Sequence, residues 1–454
     1  MNTNIIGLYP TWYEPLIGSG WVLGFIATVH LLASHTSVGA ALVSLWLTRE
    51  SIKKDRPELL EYVRRYGVFL LIFSYVLGSI TGPGIWFSAT VASPRGLSAL
   101  IHTYVWYWAV EWIFFVIEVV GIYLLVYLAG KVDNYSYLRV SWIFAGASWA
   151  TMLVIVGILS FMLWPGSSEW FMTGGSLRGL FGPYTFAQIF SRTCFMLMAS
   201  ALAGMVIASS FREHQEFRHE MIRKMSILGL SAAIIGSVFF QWGLTLLPES
   251  ATLLIKTRLP VYYVPVLWGA LALILAYFIY LYIKPSALTV VNASGMMIAL
   301  MLFGIWPEER ARESMRKPFV AGQFMFSNQV IGRDVPALDI RSELPTLSER
   351  GLLKSHPFIP SHLKEITQAN QLEAGQALAM VYCSNCHSLG SHGMRPFSEM
   401  FVGNRDAVEI QAFLEGALAT GHMINMPQVP LSHEEARALA LYISGLPLWQ
   451  ATRP

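Results

Sequence analysis

Residues 21–46 read WVLGFIATVHLLASHTSVGAALVSLW, and they contain no Asp, Glu, Lys or Arg. About 20 apolar residues in helical form cross the hydrocarbon layer of a membrane, so this stretch is long enough to span it. The stretch also carries His30 and His35. Because polar side chains inside a bilayer are costly and are often functional, the two histidines are candidate site residues as well as parts of a membrane helix.

The composition of the whole chain agrees with a membrane protein. Of its 454 residues, 54% are hydrophobic and only 13% are charged, whereas about a quarter of a soluble domain is charged. The formal net charge of +3 is too small to indicate nucleic acid as a partner. Three cysteines are too few for a disulfide framework.

Apolar stretches of similar length recur along the chain. We predict eight membrane helices at about 19–47, 66–92, 103–129, 140–164, 185–211, 224–247, 261–283 and 286–306. The predicted fold class is all-α, with a polytopic bundle of about eight helices and a small all-α domain. The predicted division is a bundle in 1–306, an extracytoplasmic collar and linker in 307–369, and the small domain in 370–454.

Basic residues are concentrated in alternate connections between these helices. The first, third, fifth and seventh connections hold Arg49, Lys53, Lys54, Arg56, Arg64, Arg65, Lys131, Arg139, Arg212, Arg218, Arg223, Lys224 and Lys284. The other connections hold only Arg95, Arg178, Lys256 and Arg258. Because basic connections stay in the cytoplasm, we expect the N-terminus outside, and eight crossings place the C-terminal domain outside too.

The C-terminal domain carries the sequence CSNCH at residues 383–387. In a CxxCH motif the two thiols form thioethers with a haem and the histidine binds its iron. A zinc half-site or a redox dithiol also uses CxxC, but no second cysteine pair and no thioredoxin-like pattern accompany this one. We therefore predict one covalent haem c, attached at Cys383 and Cys386 with His387 on the iron.

The second axial ligand is expected from residues 421–427, which read GHMINMP. A methionine followed by proline, a loop and a capped helix resembles the small class I c-type cytochromes. By that resemblance Met426 is the ligand, with Met423 and then His422 as alternatives. A Met/His pair raises the reduction potential of a haem.

The predicted third helix contains two acidic residues, Glu111 and Glu118, which lie seven apart and so share one helical face. Carboxylates within a bilayer are usually functional, although a structural carboxylate bonded to Trp or Tyr is the alternative. His102 opens the same helix near the outer surface.

Four stretches, in this order, resemble subunit I of the cytochrome bd oxidases over about residues 15–325. His30 with Gly39 nine residues later is similar to the stretch that supplies that family's N-terminal haem-ligand histidine. The sequence VLGSITG at 76–82 is similar to a small-residue motif of its second helix, and 109–118 resembles its third helix. The sequence ESMRKPF at 313–319 resembles its closing motif.

The resemblance implies roles for individual residues. His30 and Glu313 would bind the iron of membrane haem, and Arg316 would balance the charge of a haem propionate. Glu111 and Glu118 would relay protons. The implied cofactors are haem b and possibly haem d, which are not covalently bound.

The sequence also departs from this family. The fifth helix reads SRTCF at 191–195 and has no histidine, so the family's low-spin haem is either absent or held by other ligands, with His35 and His102 the candidates. The connection at about 247–260 is too short for the family's quinol-binding lobe. The two glutamates are one residue closer than in the family, and the family has nine helices.

These departures favour electron entry through haem c rather than from quinol. The predicted function is the catalytic subunit of a bd-type terminal oxidase that reduces oxygen. The alternatives are a non-catalytic electron conduit in a larger complex and reduction of another small molecule such as nitric oxide. Expected partners are a membrane subunit similar to subunit II of the family, a periplasmic c-type cytochrome or other redox protein, and lipid of the bacterial inner membrane.

Overall fold

The computed structural model describes residues 12–390, 392–401 and 406–446. Within these ranges eight helices are long and apolar enough to cross a membrane, and we call them the first to eighth spans: Ser19–Lys54, Pro57–Ala92, Pro94–Tyr127, Asn134–Leu163, Pro183–Ala208, Gln215–Thr245, Tyr263–Ile283 and Val290–Arg316. The predicted all-α polytopic bundle of about eight helices is therefore confirmed. The predicted outer limits at residues 1 and 454 lie outside the described residues.

The helices extend beyond the apolar stretches that predicted them. The first span ends at Lys54 and the second begins at Pro57, so most of the predicted loop between them is helical. Pro57 occupies the first helical turn, where its missing N–H costs nothing. Lys53 and Lys54 lie in the last turn of the first span, where cations stabilise the negative end of the helix dipole.

Shorter elements connect and follow the spans. The helices are Trp170–Thr173, Ser176–Leu180, Glu249–Arg258, Leu344–Arg350, Leu352–Ser355, Gln371–Tyr382, Ala407–Phe413 and His433–Gly445. Two short strands, Phe319–Ala321 and Met325–Phe326, form an antiparallel hairpin. Turns of π-helix occur at Leu71–Val76 and Leu300–Ile305 within the second and eighth spans, and at Leu414–Leu418; 3₁₀ turns occur at Pro285–Ala287, Pro336–Leu338, Ser361–Leu363 and Phe397–Glu399.

The region after the eighth span and the C-terminal helices share one hydrophobic core. Phe326 and Leu347 belong to the same buried cluster as Leu378, Leu414 and Leu439. The helices Gln371–Tyr382 and His433–Gly445 pack against each other within it. They approach so closely at Gly375 that a Cβ there would collide with the Ala438 backbone.

The last helix begins at a capping box. The Ser432 hydroxyl accepts a hydrogen bond from the Glu435 backbone N–H, and the Glu435 carboxylate accepts one from the Ser432 N–H. The same carboxylate accepts a hydrogen bond of 2.8 Å from the Leu353 N–H. The capped helix predicted after the methionine loop is therefore present, and its cap also fixes the segment around Leu353.

A buried ion pair joins this unit to the bundle. Arg95, in the first turn of the third span, donates two hydrogen bonds of 2.9 Å to the Glu343 carboxylate. Its Nη1 also donates to the Gln329 carbonyl at 2.7 Å, and its backbone N–H donates to the Gln329 side chain at 2.8 Å. Arg95 is 6% exposed. Because a buried charge is tolerated only when it is paired and hydrogen-bonded, this contact fixes the region around Gln329 and Glu343 on the bundle.

Candidate haem sites

The CSNCH motif begins where the helix Gln371–Tyr382 ends. The N–H of Cys383 donates to the Ala379 carbonyl at 2.9 Å. The N–H groups of Cys386 and His387 then both donate to the Cys383 carbonyl, at 3.0 and 2.9 Å. This single turn holds the three predicted haem c residues together. Both cysteines are free thiols, and burial raises the pKa of Cys383 to about 12.

The His387 ring is held by a hydrogen bond at one nitrogen, which leaves the other nitrogen free. Its Nδ1 lies 3.0 Å from the Arg395 carbonyl. A carbonyl only accepts, so Nδ1 carries the proton and Nε2 is left with a lone pair for a metal. Burial lowers the pKa of His387 to about 4, so the imidazole is neutral at physiological pH. These donors fit a covalently attached haem.

The three predicted candidates for the sixth ligand differ in their surroundings. Met423 and Met426 both pack, half-buried, against the C-terminal core. The Met426 N–H donates to the Met423 carbonyl at 3.2 Å, so one turn connects them. His422 is exposed, and its Nδ1 lies beside the Thr420 hydroxyl. Packing therefore favours a methionine over the histidine and leaves the choice between the two methionines as a prediction.

Met426→Leu is expected to lower the reduction potential of haem c and to leave its iron five-coordinate and high-spin, because leucine offers no donor atom. Optical and electron paramagnetic resonance spectra with a redox titration measure both changes. Met423→Leu is the matched control and should keep a six-coordinate, low-spin iron. The reverse pattern would make Met423 the ligand.

His30 presents a comparable arrangement inside the bundle. Its Nδ1 lies 3.0 Å from Thr81 Oγ1 in the second span. Thr81 uses its own proton to bond the Leu77 carbonyl at 2.7 Å, so the hydroxyl oxygen is an acceptor for His30. The proton of the ring is then on Nδ1, and Nε2 keeps a lone pair that can bind iron.

His35 is the one predicted ligand whose ring nitrogen is an orphan. The residue is 9% exposed, and its Nδ1 is buried without a hydrogen-bond partner among the described residues. An unsatisfied buried polar atom costs about 1–3 kcal/mol. A ligand at this position would remove that cost, so the orphaned nitrogen fits a role for His35 in holding a cofactor.

The carboxylate of Glu118 lies in a buried cluster formed by three spans. Its Oε1 accepts hydrogen bonds from Ser37 Oγ at 2.9 Å and from Tyr75 Oη at 2.8 Å. Ser37 also lies 3.0 Å from the Tyr75 hydroxyl. Glu111 is half-buried on the same helix, seven residues or about 10 Å nearer its N-terminal end. The cluster offers a connected set of hydroxyl and carboxyl groups at the centre of the bundle.

Glu313 and Arg316, which were predicted to face a membrane haem, bind each other. Arg316 Nη2 donates to Glu313 Oε2 at 2.5 Å, and Lys317 Nζ lies 3.1 Å from Oε1. Both carboxylate oxygens are thus engaged by cations. Arg316 also donates to the Val320 carbonyl at 3.2 Å. These ion pairs balance the charge of the Glu313 carboxylate and leave a lone pair on each of its oxygens.

His102 lies apart from these groups. It is exposed near the start of the third span, and its Nδ1 lies 2.8 Å from the Ser98 carbonyl of the same helix. The predicted roles of His102, Glu313 and Arg316 therefore stay predictions without a contact that favours them.

Sequence reasoning missed the ion pair that joins the fifth and eighth spans, in which Arg192 binds Glu308 at 3.2 Å. Within the eighth span, Arg312 binds Glu309 at 2.6 Å. The signal in the sequence was Arg192, a charged residue within an apolar helix, which requires a partner. Among the described residues, no three His, Cys, Asp or Glu side chains converge as a site for a metal ion.

The loop that follows the CSNCH motif contacts the segment that leads into the first span. The Leu389 N–H donates to Tyr13 Oη at 2.8 Å. Gly393 has a φ of 112°, a conformation that favours glycine, and a Cβ there would collide with the Pro15 carbonyl. The loop after His387 is therefore packed against the entry to the helix that carries His30 and His35.

Comparison with known proteins shows a likeness of fold. The chain is similar to a solved structure titled "The structure of bd oxidase from Geobacillus thermodenitrificans", with a TM-score of 0.57 and 13% sequence identity. The match covers 68% of this chain and 88% of that chain. No family model matches the sequence, and no curated protein matches it. With eight described helices that are long and apolar enough to cross a membrane, the chain is a multi-pass helical membrane protein.

At this identity the likeness is one of fold alone. The particular fold is that of a bd oxidase chain.

Proposed function

We propose that this chain is a membrane haem electron-transfer protein and the catalytic subunit of a bd-type terminal oxidase that takes electrons through its own haem c. The observation that carries the proposal is the contact between the loop of the haem c motif and the entry to the first span, at Leu389 and Tyr13. It joins the motif to the helix whose histidines offer free ring nitrogens.

The residues divide the work between two sites. Cys383 and Cys386 would attach haem c, and His387 would bind its iron with Met426 opposite. His30, with its proton held on Nδ1 by Thr81, would bind a haem within the bundle, and His35 is a further candidate ligand. Bound haem supplies the one-electron and oxygen chemistry that side chains lack.

Proton delivery is assigned to Glu118 and Glu111. Protons cannot cross hydrocarbon without titratable groups, and the Glu118 carboxylate is connected by hydrogen bonds to the first and second spans through Ser37 and Tyr75. In the proposed orientation Glu118 lies toward the cytoplasmic end of its helix and Glu111 toward the outer end. Together they span part of the path that protons would take.

Glu118→Gln is expected to lower oxygen uptake about tenfold, a barrier increase of about 1.4 kcal/mol, because glutamine keeps the hydrogen bonds but cannot titrate. Oxygen consumption by the purified complex measures the effect, with haem content and thermal unfolding as checks of integrity. Tyr75→Phe is the control, since it removes one hydrogen bond and leaves the carboxyl group. Equal, small losses in both variants would make Glu118 a structural residue.

A second candidate function is an electron conduit without oxygen chemistry. The ion pairs of Glu313 with Arg316 and Lys317 favour it, because they balance the charge of the carboxylate without iron. In this case the chain would pass electrons between a membrane haem and external redox proteins within a larger complex.

The test is a haem inventory combined with a turnover assay on the purified complex. Pyridine haemochrome spectra count haems b, c and d, and oxygen uptake is measured with a reduced periplasmic-type cytochrome c and with cyanide. One haem c, high-spin non-covalent haem and cyanide-sensitive uptake support the oxidase. One haem c with a single six-coordinate haem and no uptake supports the conduit, and absence of haem c contradicts both.

The proposed surroundings follow from the same roles. A second membrane subunit similar to subunit II of the bd oxidases would cover part of the bundle, and a periplasmic c-type cytochrome or other redox protein would supply electrons. We place the chain in a bacterial inner membrane with the haem c motif on the periplasmic side.

A further inference from the structure

The loop with the candidate methionine ligands is contacted by the membrane half of the chain. Arg258 ends the helix Glu249–Arg258, which connects the sixth and seventh spans. Its Nη1 donates a hydrogen bond of 3.2 Å to the Asn425 carbonyl. Asn425 directly precedes Met426, so this bond fixes the backbone beside the predicted ligand.

The positive charge of Arg258 lacks a counter-charge. The side chain is half-buried, and within the described part of the chain it forms no ion pair. The charged or titratable groups that act on it are the Arg395 guanidinium and the Cys386 thiol. Burial, reinforced by repulsion from Arg395, lowers the pKa of Arg258. Arg258 therefore adds a positive charge near the CSNCH motif that no carboxylate of the described residues pairs.

The neighbours of Arg258 show which part of the chain its positive charge lies near. Cys386 is one of the two predicted haem attachment points, and the Arg395 carbonyl holds the His387 ring at 3.0 Å. Arg258 therefore lies at the crevice of the predicted haem c and not on a remote surface.

We propose that Arg258 is a positioning residue for haem c that is supplied by the membrane half of the protein. It fixes the Met426 loop through Asn425 and places a positive charge at the crevice that would hold the haem. The inference rests on the proposed function, because it requires haem c at Cys383 and Cys386.

A positive charge near the haem disfavours the oxidised iron, which carries one more positive charge than the reduced iron. Arg258 should thus raise the reduction potential of haem c. Arg258 lies in the connection between the sixth and seventh spans. The reduction potential of haem c would therefore depend on the contact between the Met426 loop and the membrane half of the chain. Tyr13 contacts the loop after His387, so both ligand loops are contacted by segments next to membrane spans.

The experiment compares the reduction potential of haem c in the full-length protein and in Arg258→Gln. We expect about a tenfold change in the equilibrium constant toward the oxidised form, which for a one-electron couple is about 59 mV downward. A redox titration followed at the haem c absorbance band measures it. Arg258→Lys keeps the charge and should restore most of the potential.

Lys256→Gln is the matched control, because Lys256 is exposed and lies on the same helix. It removes an equal charge and should leave the potential unchanged. If Arg258→Gln fails to accumulate, Arg258→Met keeps the apolar stem and is titrated in its place.

The outcomes separate this inference from the proposed function. Native protein without a haem c spectrum contradicts the proposed function. Native haem c whose potential is equal in Arg258→Gln and Lys256→Gln overturns the role of Arg258 and leaves the proposed function standing. A fall in Arg258→Gln that Arg258→Lys restores supports the role.

Discussion

Replacing Cys383 and Cys386 together with serine is expected to remove covalent haem from the protein completely. Serine cannot form the thioether bonds, and His387 alone would leave any haem exchangeable. One turn of backbone holds Cys383, Cys386 and His387 together, as the predicted attachment requires. Haem staining of the denatured protein on a gel should fall from one haem c per chain to background.

Cys194→Ser is the control for this experiment, because Cys194 is the third cysteine of the chain and lies in the fifth span. It should keep the full haem c signal. Electron entry from an external donor should be lost only in the double variant. Covalent haem that survives in the double variant would refute the assignment of the motif.

Arg95→Met is expected to have the second large effect, on the contact between the bundle and the region around Gln329 and Glu343. The substitution leaves the half-buried Glu343 carboxylate with the hydrogen bond from the Ile331 N–H but without its cation, and it removes the hydrogen bond from the Arg95 side chain to the Gln329 carbonyl. Breaking a buried ion pair by removing one partner costs about 3–5 kcal/mol. We expect the region around Gln329 and Glu343 to open, with faster amide hydrogen exchange and proteolytic cleavage there.

The control is Arg178→Met, which breaks the ion pair with Glu169. Both side chains of that pair are mostly exposed, and exposed ion pairs contribute little to stability. Its exchange and cleavage rates should equal those of the unmodified protein. Equal exchange and cleavage rates in both variants would mean that other contacts hold the region around Gln329 and Glu343 on the bundle.

The sequence predicted the eight spans because hydrophobicity over about 20 residues is a local signal. It did not predict where the helices end. The polar residues at 49–65 predict a loop. In the structure most of them extend the first and second spans beyond their apolar parts. The helix Glu249–Arg258 was likewise read as part of a connection, because it is short and mixed in composition.

The site was predictable where its chemistry is local. The CSNCH motif lies within five consecutive residues, and the contact of His387 Nδ1 with the Arg395 carbonyl leaves Nε2 free for the predicted role. Pairings between distant residues could not be predicted. Arg95 and Glu343 are separated by 248 positions, and Arg258 and Asn425 by 167. Such partners are set by packing of the whole chain, for which a single sequence carries no signal.

The region after the eighth span and the C-terminal helices share one core. This core limits how the proposed haem c could transfer electrons to the bundle. A carrier on a loose tether would travel between donor and acceptor, and its rate would depend on diffusion. Here Phe326 and Leu347 are buried together with Leu378 and Leu439, so the proposed haem c would be held at one distance from the bundle. We therefore expect a first-order transfer into the bundle that does not change with solvent viscosity.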